Sequence, residues 1–271
     1  MLLLRSRFAW FHALICWLQS LVTPFISSWF KQLNPVSALF TPRLDPLEDR
    51  CLFASNLFAI GSPPGVPPLV KLLDSSTGQT IDQFQPFSSD FTGGVKVVLS
   101  DLNGDNQPDI ITAAAGAGGA PHIKVFDGKT HQVLSSFFAY DSTFSGGLNI
   151  AAGDIGNGLV GIITAPDGLM GPQVRVFFPS GDLLTTFNAY EADFTGGVKV
   201  ALGYAGNGNA AIFTSAGMGG GPYVKVFEAR SLNLLHSFYA YDPPFQGGVH
   251  LSASDLNGDG ISFSYNVGWH Q

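Results

Sequence analysis

Four copies of a short landmark limit what this chain can fold into. They are Phe91-Thr-Gly-Gly-Val, Phe144-Ser-Gly-Gly-Leu, Phe194-Thr-Gly-Gly-Val and Phe245-Gln-Gly-Gly-Val, at intervals of 53, 50 and 51 residues. A regular period of about fifty residues marks a solenoid, a propeller or an array. Two further landmarks keep step. One is Gly-Gly-Ala-Pro-His-Ile-Lys-Val-Phe126, echoed by the runs ending at Phe177 and Phe227; the other is an aromatic-x-Ala-Tyr close ending at Tyr140, Tyr190 and Tyr241. Within one period, turn signals separate four β-prone runs, which in the first full repeat are Val95–Leu99, Ile110–Ala114, His122–Phe126 and Val133–Tyr140. Ile110–Ala115 is apolar and small throughout, as a strand buried on both faces would be, whereas Ile123-Lys-Val-Phe alternates and has one wetter side. Four short antiparallel strands per unit describe a propeller blade, so the expected fold is an all-β propeller of about four blades. Large aromatics suit the space between blades.

Composition agrees and removes some function classes. Of 271 residues, 33 are Gly and only 12% are charged, which favours turns and strands. The net charge is −7 and no Lys/Arg-rich run follows residue 50, which argues against a nucleic-acid partner. Cys16 and Cys51 both precede the repeats, so no disulfide framework or cysteine metal site is indicated. His122, His131, His236 and His250 fall at different repeat positions and do not cluster. There is no Gly-x-Ser-x-Gly elbow, and the Gly-rich runs lack the Lys-Ser/Thr ending of a phosphate loop. The notable residues are periodic, as in a scaffold, so no enzyme activity is expected. The recurring aromatics read as core packing before they read as ligand platforms.

The candidate chemistry lies in one loop. Asp101-Leu-Asn-Gly-Asp-Asn-Gln-Pro-Asp109 puts oxygen-bearing side chains at Asp101, Asn103, Asp105 and Asp109, with Gly104 available for a sharp turn. A hard cation such as Ca²⁺ takes about six to eight oxygens around one point. Without a cation, three carboxylates this close would repel one another. Asp255, Asn257 and Asp259 repeat the frame as a second candidate, although Phe263 stands where a fourth ligand belongs. At 154–162 one acid remains, and at 203–211 none does, yet both keep Asn-Gly. The blade therefore demands the turn, and metal binding is optional to it.

The Phe-x-Gly-Gly-Val start, the Asp-x-Asn-Gly-Asp loop and the Val-Lys-Val-Phe strand together resemble the FG-GAP/VCBS repeats, the blades of integrin α-type propellers, in a Gly-rich bacterial version. The resemblance covers roughly residues 57–260. It implies Ca²⁺ in the loop between the first two strands of a blade, here Asp101, Asn103, Asp105 and Asp109 with the backbone carbonyl of Gln107. It also implies a non-enzymatic, exported, Ca²⁺-stabilised propeller that binds a protein or glycan at the cell surface or in the extracellular matrix. A lectin-like propeller and an ancillary domain of a larger secreted hydrolase are the rival readings. The family's usual ring has seven blades, against material here for about four.

Outside the repeats, Arg5 and Arg7 precede Phe8–Phe30, a run without Asp, Glu, Lys or Arg. Residues 1–30 read as an export signal, a membrane anchor or an interfacial segment, with a helix best placed over Phe8–Leu21; membrane contact is expected through 8–30 alone. Residues 31–56 form a linker, and Pro42-Arg-Leu-Asp-Pro-Leu-Glu-Asp-Arg50 resembles the LEDR-type motif of exported bacterial proteins. Ile261–Gln271 leaves the repeat pattern. Before the first landmark, Leu57–Gly61, Leu69–Leu73 and Thr80–Phe87 read as the second, third and fourth strands of a blade, and Val249–Ser254 as a lone first strand. Pairing of these two ends would close a four-bladed ring; the alternative is an open arc of blades.

Overall fold

The computed structural model describes residues 57–116, 120–205, 209–254, 262 and 265–266. The expected N-terminal helix, the LEDR-type motif, Asp255, Asn257, Asp259 and most of the tail lie outside these residues. Three complete blades follow one another, each a four-stranded antiparallel sheet in chain order. The first holds β4 (Val95–Ser100), β5 (Asp109–Ala114), β6 (His122–Phe126) and β7 (Val133–Phe138). The second holds β8 (Leu148–Asp154), β9 (Val160–Pro166), β10 (Gln173–Phe177) and β11 (Leu183–Asn188). The third holds β12 (Val198–Tyr204), β13 (Ala210–Ala216), β14 (Tyr223–Glu228) and β15 (Leu234–Tyr239). Ahead of them, β1 (Leu57–Gly61), β2 (Val70–Asp74) and β3 (Thr80–Phe84) form a three-stranded sheet in the positions expected for strands two to four. The fold is an all-β propeller.

Burial follows strand rank. The second strands are the driest: β5 and β13 are buried along their whole length, mostly small and apolar residues with Asp109, Thr112, Thr214 and Ser215 buried among them. Third strands alternate, with Lys124, Arg175 and Lys225 on the wetter side. Fourth strands are largely exposed. Each third strand carries a register shift near its C-terminal end, at Leu72/Leu73, Val125/Phe126, Val176/Phe177 and Val226/Phe227, which adds local twist at the same place in every sheet. Fourth-strand aromatics meet the third-strand Phe of the next blade: Phe84 with Phe126, Phe137 with Phe177 and Phe187 with Phe227, at 5.0, 5.0 and 4.8 Å between ring centroids. Such pairs add about 0.5–1.5 kcal/mol beyond their buried area.

The fourth strand of the first full blade ends at Phe138, short of the expected Tyr140, because Ala139 N–H turns to the carbonyl of Pro121 and Tyr140 leaves the sheet for the next blade. At the other end, β16 (His250–Leu251) does not make the closing pair with β1. It pairs with β17 (Tyr265–Asn266), His250 opposite Asn266 and Leu251 opposite Tyr265. The edge that a second strand would take is thus filled by the segment following β16 in the chain. A short connection costs less closure entropy than joining the two ends of the repeat region.

Candidate functional site

The Asp101–Asp109 loop joins β4 to β5. Pairing stops at Ser100 opposite Asp109, and residues 101–108 turn outside the ladder. The side chains close the loop on itself. Asp101 accepts from Gly104 N–H at 2.7 Å and Asn106 N–H at 2.8 Å, Asn103 Oδ1 from Asp105 N–H at 2.9 Å, and Asp105 from Gln107 N–H at 2.8 Å. Gly104 and Asn106 take left-handed φ of 79° and 65°, which glycine and asparagine tolerate. Asp109 is fully buried, and its carboxylate accepts from Leu102 N–H at 3.0 Å and Asn103 Nδ2 at 3.4 Å. Burial pushes its pKa up, backbone N–H groups oppose this, and the charges of Asp105 and Asp101 add to the rise.

The donor chemistry suits a hard cation: three carboxylates and an amide within nine residues, each carboxylate oxygen able to accept more than one bond. Among the described residues, however, no three acidic or imidazole side chains are gathered around one metal-sized point. The loop holds its carboxylates close enough to raise Asp109 but turns them toward its own amides. The corresponding connections in the next blades, residues 155–159 and 205–209, are three residues shorter. They close as tight hairpins through Ile155 N–H to Leu159 O at 2.7 Å and Ala205 N–H to Asn209 O at 3.1 Å.

The recurring aromatics tie blades together. Lys124, Arg175 and Lys225 lie over the rings of Phe87, Tyr140 and Tyr190, at 5.5, 4.6 and 5.0 Å, and donate to the backbone carbonyls of Pro86, Ala139 and Ala189. Tyr140 Oη donates to Gln173 O at 2.7 Å and Tyr190 Oη to Tyr223 O at 2.9 Å, each on the third strand of the following blade. Burial pushes both phenols up. These contacts bear out the packing role read from the sequence. His122 and His131 are likewise engaged: His122 Nε2 is 2.8 Å from Ser136 Oγ, and His131 stacks on Phe84 at 4.7 Å.

A second polar cluster lies where the first strands converge, and sequence reasoning missed it. The fifth residue after each landmark Phe is polar: Lys96, Asn149, Lys199 and His250. All four line one cavity. Lys96 Nζ donates to Asn149 Oδ1 at 2.5 Å and to Asp167 Oδ2 at 2.7 Å, Lys199 Nζ pairs with Asp167 Oδ1, and Asn149 Nδ2 donates to Asp167 Oδ1 at 3.0 Å and Val198 O at 2.7 Å. The recurrence of a polar side chain at one repeat position was the available signal. Asp167 gave none, since Ala115 and Gly217 occupy its place in the neighbouring blades.

Burial alone would raise the Asp167 carboxyl, but Lys96 and Lys199 hold it below its usual 3.8. Its ionised form therefore favours the folded state fully above that unfolded value, and the contribution is lost as pH falls through the lower folded pKa. In acid titrations followed by circular dichroism, the wild type should lose more stability below about pH 4 than Asp167→Asn does. Parallel acid curves for the two proteins would show that the pair contributes nothing.

No family model matches the chain, and no curated protein matches it. Similar solved structures include a chain of the mitotic checkpoint complex, 13% identical with a TM-score of 0.47, covering 73% of this chain and 50% of that one. The Dos1 propeller is 13% identical with a TM-score of 0.48, covering 71% and 48%. The Cps50 (Swd1) β-propeller domain of Myceliophteria thermophila is 12% identical with a TM-score of 0.43, covering 73% and 55%. This chain spans about half the length of those structures. The propeller assignment rests on its own blades.

Proposed function

We propose that this chain is a non-enzymatic, exported propeller of the FG-GAP/VCBS type. Its loops meet a protein or glycan partner at the cell surface or in the extracellular matrix, and Asp101, Asn103, Asp105 and Asp109, with the Gln107 carbonyl, hold Ca²⁺. One observation carries the reading. Where the neighbouring blades make a minimal hairpin, this blade has a connection three residues longer that carries Asp101 and Asp105 and leads into the buried Asp109 at the start of β5. A blade does not need that insertion, and a carboxylate raised chiefly by burial, with two neighbouring charges adding to the rise, gains from a cation beside it. The recurring aromatics serve blade-to-blade packing, which is scaffold work, and loops on a rigid scaffold are the usual place for a contact surface.

The test is calcium titration of the full chain, followed by calorimetry. Extracellular modules bind with Kd of about 10⁻⁴–10⁻³ M, and at tenfold excess over Kd the stabilisation is about 1.4 kcal/mol. Asp105→Ala should abolish most of the shift, while Asp154→Ala, in the shorter hairpin, should retain it. Identical melting temperatures in calcium and in chelator would remove Ca²⁺ from the reading. Glycan arrays then separate a glycan partner from a protein one.

A further inference from the structure

The cavity where the first strands converge has a volume of about 440 Å³ and combines two kinds of wall. One part is polar and carries Lys96, Asn149, Lys199 and His250; the other is apolar, with Ile60, Val98, Ile150, Val200 and Leu251. Its size falls in the usual range for small-molecule sites, about 300–1,000 Å³, and apolar lining with a few convergent polar groups is their usual make-up. Among the described residues the charges do not balance. Two ammonium groups, 30% and 21% exposed, share the single carboxylate of Asp167, 22% exposed. Burial depresses the pKa of Lys96; Asp167 opposes this, and the charge of Lys199 adds to it. Counted over the described residues, the cluster thus keeps one net positive charge in a partly desolvated place, which is costly without a counter-charge.

Hydrogen-bond capacity points the same way. Each ammonium has three N–H donors. Among the described residues Lys96 uses two, on Asn149 and Asp167, and Lys199 uses one, on Asp167. The Asn149 amide N–H groups are already taken by Asp167 and the Val198 carbonyl. The donors left over belong to the two lysines.

We propose that this cavity binds a small monocarboxylate with a short apolar body, its head between Lys96 and Lys199 and its body against the apolar wall. A single negative charge completes the balance. A dianion would overshoot it and face Asp167, and the apolar wall gives a bare inorganic anion nothing to hold. The proposal is separate from the calcium loop, which lies between β4 and β5.

Hexanoate is the probe, with hexanamide as its uncharged counterpart and sulfate as a dianion. Titration calorimetry on the full chain, in chelator throughout, should show hexanoate binding at least about tenfold more tightly than either, since only the monocarboxylate makes charge-assisted hydrogen bonds to both lysines and also fills the apolar wall. Lys199→Gln should weaken hexanoate at least about tenfold, and Lys199→Arg, which keeps the charge, should weaken it less. Lys96→Gln reads out the other ammonium should Lys199→Gln fail to melt cooperatively. No heat with hexanoate at about 10 mM, equal binding of hexanoate and hexanamide, or sulfate binding as tightly as hexanoate overturns the proposal.

Discussion

Gly197→Ala is expected to lower the melting temperature by about 8–16 °C. Gly197 is the second glycine of a Phe-x-Gly-Gly landmark and sits at the crossover from one blade to the next, with a left-handed φ of +87°. An added Cβ would lie 2.5 Å from the backbone oxygen of Asp167 and 2.6 Å from its carbon. Neither belongs to a side chain that could swing away. The left-handed conformation costs a non-glycine residue about 1–3 kcal/mol, and forcing atoms into a packed region about as much again. The sum, about 4 kcal/mol, corresponds to the stated shift at about 2–4 °C per kcal/mol for a domain of this size. Gly147 repeats the arrangement one blade earlier, at +78° and with its Cβ position 2.3 Å from the oxygen of Ala115. Gly78 is the internal control, because its φ is +69° but nothing lies within 4 Å of an added Cβ. Gly78→Ala should therefore show only the conformational part. If the two variants melt together, the close approach of neighbouring blades is not what fixes the landmark.

The landmark shows how far the sequence could be read. Its spacing announced blades, and its flanks placed the strands to within about three residues, the widest misses being Thr80–Phe87 for Thr80–Phe84 and Val249–Ser254 for His250–Leu251, because apolar content and turn residues are local properties. Its cause was not local. The second glycine is required by a backbone in the preceding blade, about thirty residues back in sequence for Gly197 against Asp167. The same holds for Tyr140, which reads as the end of a strand yet leaves the sheet to reach a carbonyl one blade on. The Asp101–Asp109 loop was visible as a set of oxygens at alternate positions. The direction each carboxylate takes, toward loop amides, depends on turn geometry that residue type alone does not determine. Lys96, Asn149 and Lys199 went unnoticed as a group because each alone looks like the polar member of an alternating strand, and only the convergence of first strands brings them to one cavity. The pairing of the two ends was misjudged for a related reason: strand counts favoured β1 as partner for β16, but Tyr265–Asn266 takes that place.

Deletion of residues 246–271 measures what that last hairpin does. Val249 is buried; its carbonyl accepts from Ser215 Oγ at 2.5 Å, and its N–H reaches Ala216 O at 3.3 Å. Leu251 and Ala253 pack on Ala201, Ala211, Phe213 and Val226, and Ser262 N–H donates to Tyr204 O at 2.6 Å. Deletion uncovers the flank of the third complete blade. Re-exposing about two aliphatic side chains costs about 4 kcal/mol, or about 8–16 °C. The stripped blade would also present an apolar surface and an open flank to other molecules, so loss of solubility should accompany the lower melting point. The hairpin does not supply everything a following blade supplies elsewhere. Tyr140 and Tyr190 each donate to a third-strand carbonyl, whereas Tyr241 Oη is buried with no partner among the described residues. Among the described residues, β16 therefore covers the blade's inner part and this outer tie is not made. Tyr241→Phe should accordingly cost little in the full chain, and the deletion much. Light scattering and calorimetry on both proteins test this pair of expectations. A monodisperse deletion protein with an unchanged melting transition would show that β16 and β17 add nothing to the blade they cover.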